Sequence, residues 1–283
     1  MNDLPFLKWA GGKRWLAPRL GAILDTHLHL RLVEPFLGSG AVFFQLKPSK
    51  ALLADCNTEL IAAFRAVKDT PDTVIRLLRK LEINREVFEQ LRSARPRTDS
   101  NKAARLIYLN RTAFNGLYRV NQLGRFNVPF GCKPGTQLCS ESLLLGASRS
   151  LKNAAIKCQD FRVTLKRADA KRDILYIDPP YTVKHDNNGF RRYNDNIFSW
   201  KDQEDLAKIL NQLASDGAPV IVSNAHHEEV TNLYSSEHFH VLPIERSTCM
   251  AASAVRRGSC TESLIVSKAI EKSSRILRAK LGI

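Results

Sequence analysis

The sequence predicts an α/β fold, an open and mostly parallel sheet interrupted by a mostly helical insert. Short apolar runs of strand length end at acids or glycines and alternate with stretches of helical periodicity. About a hundred residues separate the second of these runs from the third, far more than a βα connection needs. The length, 283 residues, and a hydrophobic content of 44% suit one large α/β domain carrying an insertion.

The first stretch, Phe6-Leu7-Lys8-Trp9-Ala10-Gly11-Gly12-Lys13, sets a glycine pair between two lysines and beside a tryptophan. Gly-Gly lets a backbone approach a ligand closely. Trp15–Leu24 then reads as a helix, with Lys13 at its first turn. The competing reading is an ordinary capping loop with Trp9 in the core. Next, Leu32-Val33-Glu34-Pro35-Phe36-Leu37-Gly38-Ser39-Gly40 reads as a strand and a tight Gly-x-Gly turn, with a helix starting at Ala41. Such a turn lets a nucleotide-like ligand rest on backbone N–H groups at a helix N-terminus. A second strand, Ala51–Ala54, ends in Asp55. That acid lies roughly twenty residues after the turn, the spacing at which a carboxylate grips ribose hydroxyls. Alternatively it caps the helix that starts near Thr58.

Helical periodicity runs through Leu60–Leu81, Phe88–Arg95 and Lys102–Asn110, giving an insert over roughly residues 60–150. Its tip runs from Arg111 to Arg119 and continues from Gly124 through Arg125 to Gly131, interleaving Arg, Asn, aromatics and glycines. Arginine reads guanine edges and asparagine reads adenine edges. Apolar side chains can wedge between base steps. The same stretch reads as a β-hairpin with Asn115-Gly116 as its turn.

Core strands resume at Ala154–Cys158, followed by Asp160-Phe161. The central stretch is Ile174-Leu175-Tyr176-Ile177-Asp178-Pro179-Pro180-Tyr181. Its apolar part reads as a buried parallel strand. Pro179 and Pro180 fix φ and cannot extend a sheet, so the chain leaves it there. Asp178 and Tyr181 are thereby presented at the carboxyl edge, where open α/β sheets bind ligands. An exocyclic amine on a base is a poor nucleophile because its lone pair is delocalised into the ring. The Asp178 carboxylate and a proline carbonyl, set against its N–H bonds, favour the pyramidal, reactive form. Tyr181 would stack on the base, worth roughly 1–3 kcal/mol. The bland alternative is a strand end, a Pro-Pro turn and a structural tyrosine.

A polar loop over residues 182–198 is long enough to be a lid. A helix at Trp200–Ala214 and strands at Ala218–Asn224, Phe239–Ile244 and Ser263–Val266 complete the pattern. A loop containing Arg246, Arg256 and Arg257 could hold a phosphate backbone. The basic stretch after Lys268 reads as a solvated surface helix or a frayed tail.

The net charge of +15 implies a polyanionic partner. Between Arg85 and Lys133 there are ten Lys/Arg against three acids, so the excess is not confined to a terminus. The six cysteines form no C-x-x-C, which argues against a metal site, and scattered thiols suit a reducing compartment such as the cytoplasm. Charged residues and glycines interrupt the start, so no signal peptide is expected. No apolar run approaches the ~20 residues that would span a membrane.

Together, Lys8-Trp9-Ala10-Gly11-Gly12-Lys13, Glu34-Pro35-Phe36-Leu37-Gly38-Ser39-Gly40, Asp55, Asn110-Arg111 with Phe114-Asn115-Gly116-Leu117-Tyr118-Arg119, Phe126-Asn127-Val128-Pro129-Phe130-Gly131 and Asp178-Pro179-Pro180-Tyr181 resemble the DNA adenine methyltransferase (Dam) family. The resemblance holds in the family's order from Phe6 to about Ile265. It implies a Rossmann-like methyltransferase sheet, mostly parallel with an antiparallel edge strand, and an inserted helical DNA-recognition domain with a β-hairpin. Residues 1–59 and 151–270 would bind S-adenosylmethionine and carry catalysis. Residues 60–150 would recognise the target, and 271–283 would be a basic tail. The implied activity is methyl transfer to N6 of an adenine flipped from double-stranded DNA, usually within GATC. No metal or membrane is implied, and a monomer is favoured, associated with the nucleoid through DNA. The enzyme would act alone or beside a restriction nuclease.

By the same resemblance, Trp9, Ala10 and Lys13 would contact the cofactor, and Pro35, Phe36, Gly38, Ser39 and Gly40 would cradle its methionine part. Asp55 would hold the ribose, while Asp160 and Phe161 would frame the cofactor adenine. Asp178, Pro179, Pro180 and Tyr181 would carry catalysis on the target adenine, with Asp178 also near the cofactor. Lys8, Asn115, Leu117 and Arg119 match DNA-contacting positions, and Arg125 joins them on the hairpin. The chain departs from the family at Arg246–Met250, which matches only in outline, and at the 182–198 loop, which has no clear counterpart. Ser223-Asn224 is followed by Ala225-His226-His227 where members commonly carry an acid. Two rivals stay open: a methyltransferase acting on protein glutamine or RNA, and a non-catalytic DNA-binding module.

Overall fold

The computed structural model describes residues 5–121, 123–138, 140–182, 198–246 and 260–283. Most of the loop read as a lid, and Arg256 and Arg257, lie outside the described residues. Lys13 O accepts from Leu16 and Ala17 N, and helix α1 (Ala17–Leu24) starts there, slightly later than Trp15. Strand β1 (Arg31–Glu34) leads through the glycine turn into α2 (Ala41–Leu46), with Gly40 as its left-handed N-cap at φ 66°. After β2 (Ala51–Asp55) comes α3 (Thr58–Asp69), capped by the Asn57 side chain.

The long helix read over 60–81 is two. Thr70 ends α3, and Pro71, with no N–H to lose at a first turn, opens α4 (Pro71–Arg79). Side-chain caps from Asn84, Thr98 and Ser140 start α5 (Arg85–Ser93), α6 (Asp99–Thr112) and α7 (Glu141–Leu151). Then come β3 (Ala154–Cys158), α8 (Phe161–Leu165) and β4 (Asp173–Ile177). A capping box between Ser199 and Asp202 starts α9 (Trp200–Ser215). Strand β5 (Val220–Ala225), short α10 (Glu228–Thr231), β6 (Phe239–Arg246), β7 (Cys260–Ser267) and α11 (Ser274–Leu281) follow. The basic C-terminal stretch is thus a capped helix, and it buries Leu277 and Leu281.

Seven strands stand in the order β3-β2-β1-β4-β5-β7-β6. The pairs β2–β3, β1–β4 and β4–β5 are parallel, and β7 runs antiparallel to both β5 and β6. The reversed strand is therefore one in from the edge. Strand order switches direction beside β1 and β4, the kind of point at which open α/β sheets bind ligands.

Contacts divide the chain into two compact units, Met1–Pro18 with Leu37–Asp160, and Arg19–Phe36 with Phe161–Ile283. In the first, α3 packs on β2, β3 and α6. Arg65 and Lys68 of α3 donate to the carbonyls of Ile156 and Ala154, covering the free side of edge strand β3. Buried Arg105 of α6 pairs with Glu59 at 2.8 Å and donates to the last carbonyls of α5, Leu91 and Arg92. A small core of Phe88, Tyr108, Leu109, Ala113, Phe126 and Val128 seals the hairpin region. That hairpin exists as two antiparallel bridges, Ala113 to Phe130 and Val120 to Phe126. Its turn is at Asn121–Arg125, not at Asn115-Gly116. The Asn121 side chain accepts from Leu123 and Arg125 N, and Gly124 supplies φ 68°. Asn115 and Gly116 instead form a 3-10 turn within one arm.

In the second unit every residue of β4 is buried, as a parallel strand covered on both faces requires. The buried charge of Asp173 is matched by a bidentate pair with Arg31, both bonds 2.8 Å, which locks the starts of β1 and β4 together.

Candidate active site

The residues singled out from the sequence fall in both units. In the first, Trp9 O accepts from Gly12 N at 3.1 Å around a tight turn, with Gly11 at φ 76°. Buried Lys13 buttresses this turn by donating from Nζ to Gly11 O at 3.0 Å. The second glycine turn presses against it. A Cβ on Gly38 would sit 3.1 Å from Trp9 Cδ1, and one on Gly12 would sit 3.3 Å from Ser39 Oγ. A side chain at either position would force these neighbours apart by a few tenths of an ångström.

Asp55, at the carboxyl end of β2, accepts from Gly38 N at 3.2 Å and Asn57 N at 2.9 Å. The cap of α3 is Asn57, so Asp55 is not that helix's N-cap. Burial pushes the Asp55 carboxyl up, while the amides of Asn57 and Gly38 pull the other way. Asp160 and Ala10 are exposed.

The residues matched to DNA contacts lie in the same unit. Asn110, fully buried, accepts from Lys8 N at 2.8 Å and donates to Lys8 O at 2.8 Å and Gly116 O at 3.1 Å. Arg111 donates to Phe6 O at 3.0 Å. A Cβ on Gly116 would lie 2.7 Å from Lys8 Cδ, so the Asn-Gly turn is built against the N-terminal segment. Lys8, Asn115, Arg119 and Arg125 are exposed, and Leu117 is half-buried against the hairpin core. Arg119 is oriented by its Nε bond to Asn127 Oδ1 at 2.9 Å. Tyr118 turns the other way and stacks on Trp9, centroids 5.1 Å apart and planes 20° apart, with its hydroxyl donating to Glu59 at 3.2 Å.

In the second unit, Asp178 is half-buried just beyond β4. Ser223 Oγ of β5 donates to its carboxylate at 2.9 Å, which leaves Tyr176 OH, 3.0 Å away, to donate to Ser223. Tyr181 OH donates to Glu262 Oε2 of β7 at 2.9 Å. Glu262 also meets Arg246 at 3.5 Å. Arg246, read as a phosphate contact, thus faces a carboxylate. Burial first, then the charges of Asp178 and Glu262, raises the Tyr181 phenol well above its ordinary range, so it stays a neutral donor.

Pro179 is buried and Pro180 half-buried, and Pro35 is buried at the end of β1. Phe36 stacks on Phe161 at 5.3 Å and meets Phe198 edge-on at 5.5 Å. Arg162 lies 4.4 Å over the Phe161 ring and is held by Asp202 and Asp205. Sequence reasoning assigned no role to Glu262, to the Ser223–Asp178 bond or to the Tyr118–Trp9 stack. Ser223 alone carried a signal, as a polar residue ending an apolar strand. Among the described residues no group of three or more His, Cys, Asp or Glu is arranged to hold a metal.

The seven-stranded, mostly parallel sheet with its reversed strand is that of a Rossmann-like methyltransferase fold, and a carboxylate and a neutral tyrosine stand at its switch point. The family of D12 class N6 adenine-specific DNA methyltransferases matches residues 9–249, and the chain belongs to it. It is an adenine-specific DNA methyltransferase. It is 36% identical over 275 residues to the type II methyltransferase M1.LlaDCHI of Lactococcus lactis subsp. cremoris, covering 94% of this chain and 95% of that protein. It is 36% identical to the DNA adenine methylase of Salmonella typhi and 34% identical to that of Escherichia coli (strain K12). Each of these matches covers 86% of this chain and 88% of the relative.

Proposed function

We propose that the protein transfers a methyl group from S-adenosylmethionine to N6 of an adenine turned out of double-stranded DNA, within GATC. One observation carries this reading: Asp178 stands at the end of β4 with its carboxylate oriented by Ser223, and Tyr181 beside it is fixed by Glu262.

The first-unit residues suit the cofactor. Gly12 and Gly38 let the two turns lie close to Trp9 and to one another, and Asp55 is an acceptor for ribose hydroxyls. Bound there, S-adenosylmethionine supplies a methyl carbon made electrophilic by its sulfonium. This chain's residues do the rest. The Asp178 carboxylate and the Pro179 carbonyl accept the two N–H bonds of the adenine amine, drawing its lone pair out of conjugation. Tyr181 stacks on the base and offsets part of the few kcal/mol that leaving the duplex costs. Asp178 and Pro179 would hold N6 for the methyl carbon, the electrons of the carbon–sulfur bond would leave with S-adenosylhomocysteine, and the surplus N–H proton would leave on the Asp178 side. Positioning supplies much of the rate.

Lys8, Asn115, Leu117, Arg119 and Arg125 contact the duplex in this reading. Support for GATC comes from their match to the family pattern, and relatives named DNA adenine methylase support adenine as the target base. Sequencing DNA from an expressing host with modification-sensitive reads tests the target. Asp178→Ala abolishes methyl transfer while largely sparing duplex binding; near-normal methylation by that variant would reject the role.

A further inference from the structure

We infer that Tyr118 is a positioning residue that couples DNA binding to cofactor binding, and this rests on the reading above. Tyr118 sits in sequence between Leu117 and Arg119, two proposed DNA contacts, yet its ring is turned inward. It stacks on Trp9 at 5.1 Å and 20°, an offset arrangement of two π faces. Trp9 also lies against the second glycine turn, where a Cβ on Gly38 would be 3.1 Å from Trp9 Cδ1. Gly38 N in turn donates to Asp55, the proposed ribose acceptor, at 3.2 Å. One continuous packed path therefore runs from the base-reading loop through two stacked rings to the carboxylate of the nucleoside cradle.

The path is stiff at both ends. Tyr118 OH is tied to Glu59, and Glu59 to buried Arg105, which anchors α3, α5 and α6 together. The segment carrying Trp9 is bound to the same loop by Asn110, which bonds both backbone groups of Lys8 and the carbonyl of Gly116. A backbone shift of Leu117 and Arg119 onto a duplex would carry the intervening Tyr118 and so its face on Trp9. A duplex that seats this loop in one position thus fixes Trp9 and the Gly38 turn, and the cofactor binds a cradle already ordered. Linkage makes the effect reciprocal: bound cofactor tightens duplex binding by the same factor.

The test uses the full chain, S-adenosylhomocysteine as an unreactive cofactor probe, and a duplex that the wild-type protein methylates. Calorimetry gives the probe's affinity with and without that duplex. Wild type is expected to bind the probe more tightly with the duplex, by a factor in the range of about 5–150 typical of coupled sites. Tyr118→Leu is expected to bring that ratio close to one. It also weakens the probe alone by about 2- to 10-fold, the reach of one stacked pair. Tyr118→Phe keeps the stack, so it keeps the ratio, which a role confined to the Glu59 bond would not allow. Thermal melting of both variants confirms that each is folded. A ratio in Tyr118→Leu equal to that of wild type, with methylation of the duplex intact in wild type, overturns the coupling and leaves the proposed function standing. A wild-type protein that transfers no methyl to duplex adenine overturns both.

Discussion

Ser223 shows how much of the chemistry depends on a residue that never meets the base. Its hydroxyl has one proton, given to Asp178, and one acceptor role, filled by Tyr176. Removing it takes this bond from buried Tyr176 and from the half-buried carboxylate of Asp178. Ser223→Ala should lower kcat by one to two orders of magnitude, since hydrogen bonds to charged groups are worth about 1.5–3 kcal/mol. Tyr176→Phe added to it should recover stability, measured by melting, but not kcat. Equal recovery of both would mean that Ser223 serves packing alone. Asp55 makes a pH argument at the same scale. Its carboxyl is raised by burial, so the folded chain holds that proton more tightly than the unfolded chain does. It therefore favours folding in acid, and this contribution falls away as pH rises through the raised value. Cofactor binding has the opposite sense, because ribose hydroxyls donate to the ionised form. Affinity should weaken on acidification, and at a higher pH than an ordinary aspartate would give, because burial raises the Asp55 carboxyl. Asp55→Asn should bind weakly with a flat profile in calorimetry; a profile unchanged from wild type would remove Asp55 from the site.

Among the elements, the strands and their carboxyl ends were legible because each is written locally. Apolar runs stop at Glu34-Pro35, Asp55 and Asp178-Pro179, and those are the places where β1, β2 and β4 end. The hairpin was legible in existence but not in register. Asn-Gly is the strongest short-range turn signal, yet Asn115-Gly116 is drawn into a 3-10 turn by Asn110 and by the close approach of Lys8. Those partners are remote in sequence or across a turn, and no dipeptide rule encodes them. Glu262 escaped notice for the same reason, since it meets Tyr181 only through the pairing of β7 with β5. The glycine turn was read as a place where a ligand approaches the backbone; what lies against Gly38 is the Trp9 ring. Gly38→Ala combines a left-handed φ of 50° with a Cβ 3.1 Å from Trp9. The backbone cost alone is about 1–2 kcal/mol. The expected result is a lower melting temperature and at least tenfold weaker cofactor affinity. Gly124→Ala, where a Cβ meets nothing within 4 Å, should lose comparable stability and no cofactor affinity. Equal affinity losses in the two variants would sever Gly38 from the cradle.

For the molecule as a whole, the charge of +15 is a statement about partners rather than about fold. The census overstates the DNA footprint, however. Of the basic residues between Arg85 and Lys133, Arg105 is buried against Glu59, Arg92 pairs with Glu89 and Lys102 with Asp99. Arg119 and Arg125 stay exposed on the hairpin, and they should act differently. Arg125 sits at the turn and suits a phosphate. Arg125→Ala should weaken binding uniformly across sequences and reduce the slope of log affinity against log salt by about one, as loss of one released counterion predicts. Arg119 is aimed by Asn127 and suits a base edge, so Arg119→Ala should cost about 1–3 kcal/mol on the preferred site and relax the preference. Titrating both variants over a salt series, on a preferred and a scrambled duplex, separates the two effects. If Arg119→Ala only flattened the salt slope, its role as a base reader would be lost, and sequence choice would have to come from Lys8, Asn115 and Leu117.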